Sequence, residues 1–429
     1  MRVEPMFPIE KWDSAEKYEE AGIVGYEPMT AKELDTEDKQ DEALNDTSNY
    51  LEEKFDGTRA LVYLMGDFNR VFSRRVSKKT GFYVENTDSV PQIRDIKTYL
   101  DGTILDGEMF IPNQGFQASS AVMNCKYDKA IDRQKELGFQ VFHAFDILFY
   151  KGLDLRNEPL RIRKMYLEIV VSKINSEYIQ SVKYFSCGKD IPIILEKELT
   201  DRLGIENIDY FYDSFDRDNY PNLSEYMFNG GDFTPRTYYE LIVATGGEGV
   251  IVKPKEGKYL HKRGWEYSKI KSFLTREMIL IDFAEPTKEY SGKAPKEWEY
   301  YEDGVPVTRH YYFNQVGNMK LGVFITVEEF NAIPKNKRGA THMPSHVCTD
   351  LKDYDISHII MEVCECSGYD DEQREYYTDH KEELIGSVVE VKANGIMKDS
   401  GRMRHPRFLR FRDDKAPEQC IWVDHVGGN

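Results

Sequence analysis

The sequence has few cysteines, no long apolar run and a deficit of positive charge. Its six cysteines among 429 residues show no paired spacing typical of a zinc site or a disulfide scaffold, so we expect reduced thiols. No apolar run approaches the roughly 20 residues that span a bilayer, and the first residues lack the apolar core of a secretory signal. We therefore expect an intracellular, cytoplasmic protein without membrane association, either cellular or a viral protein acting in a host cell.

The charge balance restricts how the chain can meet nucleic acid. It has 57 basic and 75 acidic residues, a formal net charge of −18, which argues against non-specific adhesion to a polyanion. Basic residues are nevertheless concentrated in two segments, 253–276 and 398–415. Two basic segments on an acidic chain indicate directed sites for phosphates.

The length and the pattern of apolar residues predict more than one domain. A chain of 429 residues is too long for one compact core and suggests two or three. Beyond about residue 275, short alternating strands are predicted at 278–283, 320–326, 359–363 and 388–391, with a hairpin turn at Asp303-Gly304. This pattern is typical of a small barrel. We place the domains at 1–275 and 276–429.

The stretch around Lys54 organises the first domain. Lys54 stands before the turn dipeptide Asp56-Gly57, and the apolar run 60–65 that follows predicts a buried strand. A lysine at that place projects from a rigid edge into whatever cavity the sheet lines. Farther along, we predict a helix over 90–100, two strands joined by a turn at Asp106-Gly107, and a helical and loop excursion over 201–239.

An ordered series of short stretches resembles the motif set of the ATP-dependent DNA ligases, which are covalent nucleotidyltransferases. The resemblance runs from Pro28 almost to the C-terminus, and a chance match becomes implausible when the stretches keep their order. The stretches are Lys54-Phe55-Asp56-Gly57-Thr58-Arg59, Ser73-Arg74, Leu105-Asp106-Gly107-Glu108, Ala144-Phe145-Asp146-Ile147, Glu248-Gly249-Val250-Ile251-Val252-Lys253, Lys269-Ile270-Lys271 and the segment Arg404–Lys415.

The resemblance implies the fold and the reaction. The fold is α+β: a nucleotidyltransferase domain of antiparallel sheets with flanking helices, followed by an all-β OB-fold barrel. The implied activity is the sealing of nicks in duplex DNA through lysyl-AMP and a DNA adenylate, with ATP and Mg²⁺, in DNA replication and repair. The barrel must move during the cycle, so a hinge is expected near residues 272–277, and we expect a monomer.

The resemblance also implies roles for individual residues. Lys54 is the expected nucleophile, and Glu108 and Glu248 are the expected Mg²⁺ ligands because Mg²⁺ prefers oxygen. Phe145 would stack on adenine and Glu52 would contact it, while Lys253 would reach the α-phosphate. The remaining expected nucleotide-binding residues are cationic: Arg59 and Arg74 toward the phosphate and sugar, Lys269 and Lys271 beside Lys54, and Arg412 and Lys415 toward the β- and γ-phosphates.

Three alternatives remain open from the sequence. An mRNA capping guanylyltransferase shares the Lys54 motif and the barrel but uses GTP. An RNA ligase is less favoured, since many lack such a barrel with the last motif. The third is a non-catalytic OB-fold protein that binds nucleic acid, which would need basic residues interleaved with aromatic stacking platforms.

Overall fold

The computed structural model describes residues 12–112, 114, 116–290, 292–348, 358–397 and 400–427. Lys398 and Asp399, in the second basic segment, lie outside the described residues. The chain forms two compact units, Met1–Lys271 and Ser272–Asn429. In the described part of the chain, none of the helices combines the length and apolarity that a bilayer crossing requires.

The first unit combines strands with α-helices. Its strands are β1 (Thr30–Glu33), β2 (Asn49–Glu53), β3 (Thr58–Leu64), β4 (Arg70–Val76), β5 (Tyr83–Glu85), β6 (Thr103–Phe110), β7 (Val141–Tyr150), β8 (Leu153–Asp154), β9 (Ile179–Ser181), β10 (Tyr184–Ser186), β11 (Gly249–Pro254) and β12 (Arg263–Lys271). Its helices are α1 (Ala15–Glu20), α2 (Glu37–Asn45), α3 (Pro91–Arg94), α4 (Phe116–Met123), α5 (Tyr127–Leu137), α6 (Leu160–Ile174), α7 (Leu195–Leu203), α8 (Ile208–Asp213), α9 (Pro221–Ser224) and α10 (Pro235–Ala244).

These strands form two sheets. The smaller sheet has the order β1-β12-β11-β2-β10, and the larger has the order β5-β4-β3-β6-β7-β8 with β9 paired to β7. All the pairs are antiparallel except β1 with β12 and β7 with β9. One buried cluster takes side chains from both sheets, including Tyr63 of β3 and Tyr267 of β12, so the sheets pack face to face.

Strand periodicity places the layers of the first unit. Successive side chains of a strand point to opposite faces. On β3, Val62 and Leu64 pack with Leu167 and Val170 of α6, whereas Leu61 faces the smaller sheet. The outer face of the smaller sheet is covered in the same way by apolar side chains of α7 and α10. Each of the two sheets that form the cleft is therefore supported on its outer face by an apolar core.

Two local predictions for this unit are wrong. Asp106-Gly107 is not a turn, because β6 runs unbroken from Thr103 to Phe110. Asp106 is fully buried and is bonded by Arg59 and Tyr259, which satisfies a carboxylate inside a strand. Gly107 is required by close packing, since a Cβ there would lie 2.5 Å from the carbonyl oxygen of His143. The helix expected over 90–100 is only the single turn of α3.

The second unit is built mainly of strands. The strands are β13 (Leu274–Phe283), β14 (Glu297–Glu302), β15 (Val305–His310), β16 (Met319–Thr326), β17 (Thr341–His342), β18 (His358–Cys366), β19 (Val388–Ala393) and β20 (Arg407–Phe411). The helices are α11 (Val327–Ala332), α12 (Pro344–Val347), α13 (Asp371–Asp379), α14 (Lys381–Leu384) and α15 (Trp422–Gly427). Strands β14 and β15 form the predicted hairpin, with positive φ at Asp303 (50°) and Gly304 (81°), as its two-residue turn requires.

Five strands of the second unit close into a barrel. The main sheet has the order β17-β18-β16-β13-β19-β20. A parallel bridge joins Ser367, just after β18, to Arg407 at the start of β20, and the amide of Phe408 donates to the carbonyl of Ser367 at 2.9 Å. Alternate side chains of these strands fill the interior. Numbered along the chain, the closed order is 1-2-3-5-4-1, which is that of a five-stranded Greek-key barrel of the OB type.

The predicted α+β fold class is confirmed in both parts. The first unit has antiparallel sheets with flanking helices, and the second has the β-barrel. The fifth barrel strand, β20, lies within the basic segment that the sequence marked only as a phosphate-binding motif. The division into domains at residue 275 stays a prediction.

Candidate active site

The connection that carries Lys54 crosses between the two sheets. Strand β2 ends at Glu53 in the smaller sheet, and β3 begins at Thr58 in the larger one. The amide of Lys54 donates to the carbonyl of Gly249 at 2.9 Å, which fixes the start of the connection. A Cβ on Gly57 would lie 2.3 Å from the carbonyl oxygen of Met109, so only glycine fits there. The sequence therefore places a lysine at the mouth of the cleft.

A cavity of about 520 Å³ opens at this place, lined by side chains of both sheets. It collects ten of the twelve residues that the resemblance singles out, counting Glu248, which borders it. Those that line the cavity are Glu52, Lys54, Arg59, Arg74, Glu108, Phe145, Lys253, Lys269 and Lys271. Glu248, directly before β11, reaches the group through ion pairs with Lys54 and Lys271.

Lys54 lies in a cluster of three lysines and two carboxylates. One carboxylate oxygen of Glu248 accepts from Lys54 and the other contacts Lys271. Lys269 pairs with Glu33 of β1 at 3.3 Å. Burial and the neighbouring charge of Lys271 lower the pKa of Lys269. The cluster therefore has one more positive than negative charge, which favours an anionic ligand.

Glu52 lies deep in the cavity between two lysines. Its oxygens contact Lys253 and Lys164, each at 2.6 Å, and all three side chains are almost completely buried. Burial lowers the pKa of Lys253 to about 8, against the opposing effect of Glu52. Sequence reasoning missed Lys164. Its signal was a lysine spaced between Leu160 and Leu167 so that it falls on the apolar stripe of α6.

Arg59 is held under the cavity by a buried carboxylate. Its Nε and Nη2 each donate to Asp106 at 2.6 Å, and Tyr259 donates to the same carboxylate at 2.6 Å. The guanidinium lies 4.3 Å from the ring centre of Phe145, and Lys253 lies 4.5 Å from it. Phe145 thus combines an aromatic face with two adjacent cations, an environment suited to a nucleotide.

A second buried pair supports the strand that carries Phe145. Asp146 accepts from Arg163 at 2.8 and 2.9 Å and from Tyr267. Burial alone would raise the pKa of Asp146, but Arg163 and the other donors lower it to about 2. Asp146 stays ionised, so both Phe145 and Tyr267 are fixed in the cavity wall.

Glu108 differs from the other acidic residues of the site. Burial raises the pKa of its carboxyl to about 7, although Arg59 and Lys54 act in the opposite direction. Within the described residues, its carboxylate has no ion pair or hydrogen bond of the kind that holds Glu52 and Asp106. A partly buried carboxylate that lies beside Glu248 and has no partner is suited to bind a divalent cation.

One wall of the cavity is built from β4 and α4. It is lined by the exposed Arg74 and Arg75 of β4, and by Ser120 and Asn124 from α4 and the residue after it. The resemblance had indicated Arg74 alone. A single sequence carries no signal for Ser120 or Asn124, because they are brought to the cavity by the packing of α4 next to β6.

Arg412 and Lys415, the remaining predicted residues, belong to the second unit. Arg412 donates to Glu277 and to Asp414, each at 2.7 Å, and Lys415 donates to Glu277 at 3.1 Å. Glu277 lies on β13 and thus anchors the two cations to the barrel. Glu277 and Asp414 therefore hold the side chains of Arg412 and Lys415 next to each other.

Comparisons with known proteins agree with these features. Residues 28–203 match the family model described as "ATP dependent DNA ligase domain". The DNA ligase of Saccharolobus shibatae is 21% identical over 394 residues, covering 87% of this chain and 53% of the relative. DNA ligase 4 of Candida albicans is 28% identical over 182 residues, covering 38% of this chain and 20% of the relative. The chain thus spans about half the length of these curated relatives or less.

The fold has a counterpart among solved structures. The structure titled "Pmar-Lig_PreS3" superposes with a TM-score of 0.51 at 18% identity, covering 93% of this chain and 70% of that one. A related structure, "Pmar-Lig_Pre.", gives a TM-score of 0.50 at 18% identity. At this identity the likeness concerns the fold, and it extends over both units of the chain.

Proposed function

We propose that this chain, a member of the ATP-dependent DNA ligase family, seals nicks in duplex DNA through a covalent lysyl-AMP formed on Lys54. The observation that carries the proposal is the placement of Lys54 at the mouth of a cavity lined by cations from two sheets. Such a cavity suits a nucleoside triphosphate, and a lysine at its mouth is placed to attack.

The chemistry assigns a bond change to each step. Nζ of Lys54 attacks the α-phosphorus of ATP, a phosphorus–nitrogen bond forms, and the bond to the departing pyrophosphate breaks. The amine must lose its proton, and the contacting carboxylate of Glu248 is the nearest acceptor. The AMP then passes to the 5′-phosphate at a nick, which frees Lys54, and the 3′-hydroxyl displaces AMP to close the strand.

Some residues of the cavity are proposed to contact the adenine base and others the phosphates. Phe145 provides the stacking surface for adenine, and Glu52, held by two lysines, borders it. Lys253 contacts the α-phosphate, with Lys269 and Lys271 neutralising the chain of phosphates. Arg59 and Arg74 serve the sugar and the 5′ end, and Arg412 and Lys415 serve the β- and γ-phosphates.

The donor set fits a magnesium ion. Glu108 offers a partly buried carboxylate without a partner among the described residues. Glu248 offers a second carboxylate, and the lysines that contact it can turn to phosphates. When bound, the ion would neutralise charge on the phosphate oxygens. The proposed partner is nicked duplex DNA, which the protein would bind as a monomer. The proposed process is DNA replication or repair, in the compartment that holds the cellular or viral DNA.

The proposal is tested by intact-mass analysis after incubation with Mg²⁺ and one nucleotide at a time. ATP should add one AMP to the wild type and nothing to Lys54→Ala, whereas GTP and NAD should give no adduct. Lys32→Ala is the matched control, because Lys32 packs on Trp265 at 4.5 Å on β1 and does not belong to the cluster around Lys54. Labelling by GTP would instead assign the chain to the capping enzymes. An AMP adduct on Lys54→Ala would show that Lys54 is not the nucleophile.

A further inference from the structure

The residue before Lys54 is bound by an arginine from the helical segment between β10 and β11. Nη1 and Nη2 of Arg202, on α7, donate to the two carboxylate oxygens of Glu53 at 2.9 and 2.5 Å. Only 14% of the Arg202 side chain and 16% of the Glu53 side chain are exposed. A bidentate, mostly buried pair of this kind fixes both position and orientation.

Strand alternation explains why Arg202 lies outside the cavity, although Glu53 is among the residues that line it. Glu52 points into the cavity toward Lys253, so Glu53, the next residue of β2, points to the opposite face. That face packs on α7 and α10 through the cluster that includes Leu51 and Tyr238. Arg202 therefore acts on the strand that carries the nucleophile from behind, and it is absent from the residues that line the cavity.

The end of β2 is also held by its backbone pairing and by the contacts of Glu52 with Lys164 and Lys253. Glu53 is the last residue of the strand and pairs with Val250, and the amide of Lys54 bonds to Gly249. Beyond that point the chain leaves the sheet for β3. The Arg202–Glu53 pair is the side-chain contact that holds the last residue of β2, directly before Lys54, from the face opposite to Glu52.

We propose that Arg202 is a positioning residue for Lys54, which gives the segment of α7 a role in the first chemical step. This inference rests on the proposed function. A fixed strand end keeps Nζ in line with the α-phosphorus, and misplacement by about 1 Å can reduce a rate by a factor of ~100. Because Arg202 does not contact the nucleotide, its loss should lower the rate of lysyl-AMP formation without weakening ATP binding.

The test measures single-turnover lysyl-AMP formation over a range of ATP concentrations. Arg202→Gln should be slower than the wild type by a factor of ~10 or more at saturating ATP, with an unchanged half-saturating concentration. Arg202→Lys keeps the charge but not the fork, so it should recover part of the rate. Arg236→Gln is the matched control: Arg236 lies on α10, is 19% exposed, and bonds to Asp41 at 2.6 Å, away from β2.

A second variant distinguishes a loss of stability from a loss of Lys54 positioning. Arg202→Gln leaves the charge of Glu53 buried, whereas Glu53→Gln/Arg202→Gln removes both charges and should melt closer to the wild type. The double variant should still form lysyl-AMP slowly, because two amides make a weaker contact.

Three results would overturn the inference. The first is a rate of lysyl-AMP formation within twofold of the wild type in both Arg202→Gln and the double variant, and the second is equal slowing by Arg236→Gln. The third is a half-saturating ATP concentration that rises enough to account for the slower rate. Failure of the wild type to form lysyl-AMP would instead overturn the proposed function.

Discussion

Lys54 forms an ion pair with Glu248, and the second oxygen of the same carboxylate contacts Lys271. An opposite charge in contact favours the protonated form of an amine. The attacking amine must be neutral, so this arrangement represents the site before reaction. Approach of the phosphates would draw Lys271 away, and transfer of the Lys54 proton to Glu248 would leave the amine neutral for attack.

Replacing Glu248 with glutamine should slow lysyl-AMP formation by a factor of ~10 to 100 while the protein stays folded. The amide cannot accept the proton of Lys54 and is a poorer ligand for Mg²⁺. Glu256→Gln is the control, since Glu256 is exposed and pairs with Arg161 outside the site. Initial rates from intact mass check the prediction, and equal rates for the two variants would contradict it.

Arg412 and Lys415 should matter only while ATP is being cleaved. Their proposed partners, the β- and γ-phosphates, have left once AMP is on the DNA. The double alanine variant should therefore block lysyl-AMP formation but largely spare sealing of a chemically pre-adenylated nick. The measurement is single-turnover sealing with Mg²⁺ and without ATP.

Arg74→Ala provides the contrast for that experiment. Arg74 lies on the exposed side of the cavity, toward the proposed 5′ end, so its loss should impair sealing of the pre-adenylated nick as well. Melting temperatures of all variants must match the wild type. Equal defects of the Arg412/Lys415 double variant in both assays would show that these residues act beyond the first step.

Nick binding should weaken clearly with salt. With a net charge of −18, affinity must come from a limited number of local phosphate contacts. Each neutralised phosphate releases counterions, which gives a log–log slope of about −0.9 per contact. Titrations of nicked duplex at several salt concentrations measure the slope, and an affinity independent of salt would refute this account.

Asp106→Asn should destabilise the first unit. Asp106 is fully buried, and its loss leaves the charge of Arg59 without its partner, at a cost of about 3–5 kcal/mol in the free energy of unfolding. Asp154→Asn is the surface control, because the pair of Asp154 with Arg156 is more exposed and should cost less than about 1 kcal/mol. Urea denaturation of the two variants tests this difference, and equal losses for Asp106→Asn and Asp154→Asn would contradict it.

His143 should make stability depend on pH. Burial lowers the pKa of His143 from its usual 6.5 to about 4. The unfolded chain therefore takes up a proton below pH 6.5 that the folded chain refuses until pH 4, and the free energy of unfolding falls as the pH drops through this window.

Between pH 7 and pH 5 this contribution should be about 1–2 kcal/mol. His143→Phe keeps a ring to stack on Phe55 and Phe110 and removes the titration. Its free energy of unfolding should fall less than that of the wild type over this range, whereas the exposed His346→Gln should follow the wild type.

The sequence by itself determined the strand after Lys54, the main barrel strands and the family resemblance from which the site residues are predicted. The apolar run 60–65 predicted β3, and alternation predicted the barrel strands β13, β16, β18 and β19, because each buries one or both faces in a core. The order of the motifs selected Lys54 and the residues that line its cavity. The local sequence pattern was sufficient to predict a strand where the residues that make it apolar lie within that strand.

Only the tertiary structure decided how those strands combine. A turn dipeptide such as Asp56-Gly57 could join two strands of one sheet, but here it crosses to a second sheet. The same type of dipeptide at Asp106-Gly107 stays inside β6, because Arg59 and Tyr259 satisfy the buried carboxylate. The contacts of Lys164 with Glu52 and of Arg202 with Glu53 join residues more than a hundred positions apart. Such contacts depend on which faces meet across the sheets, and no local periodicity encodes that.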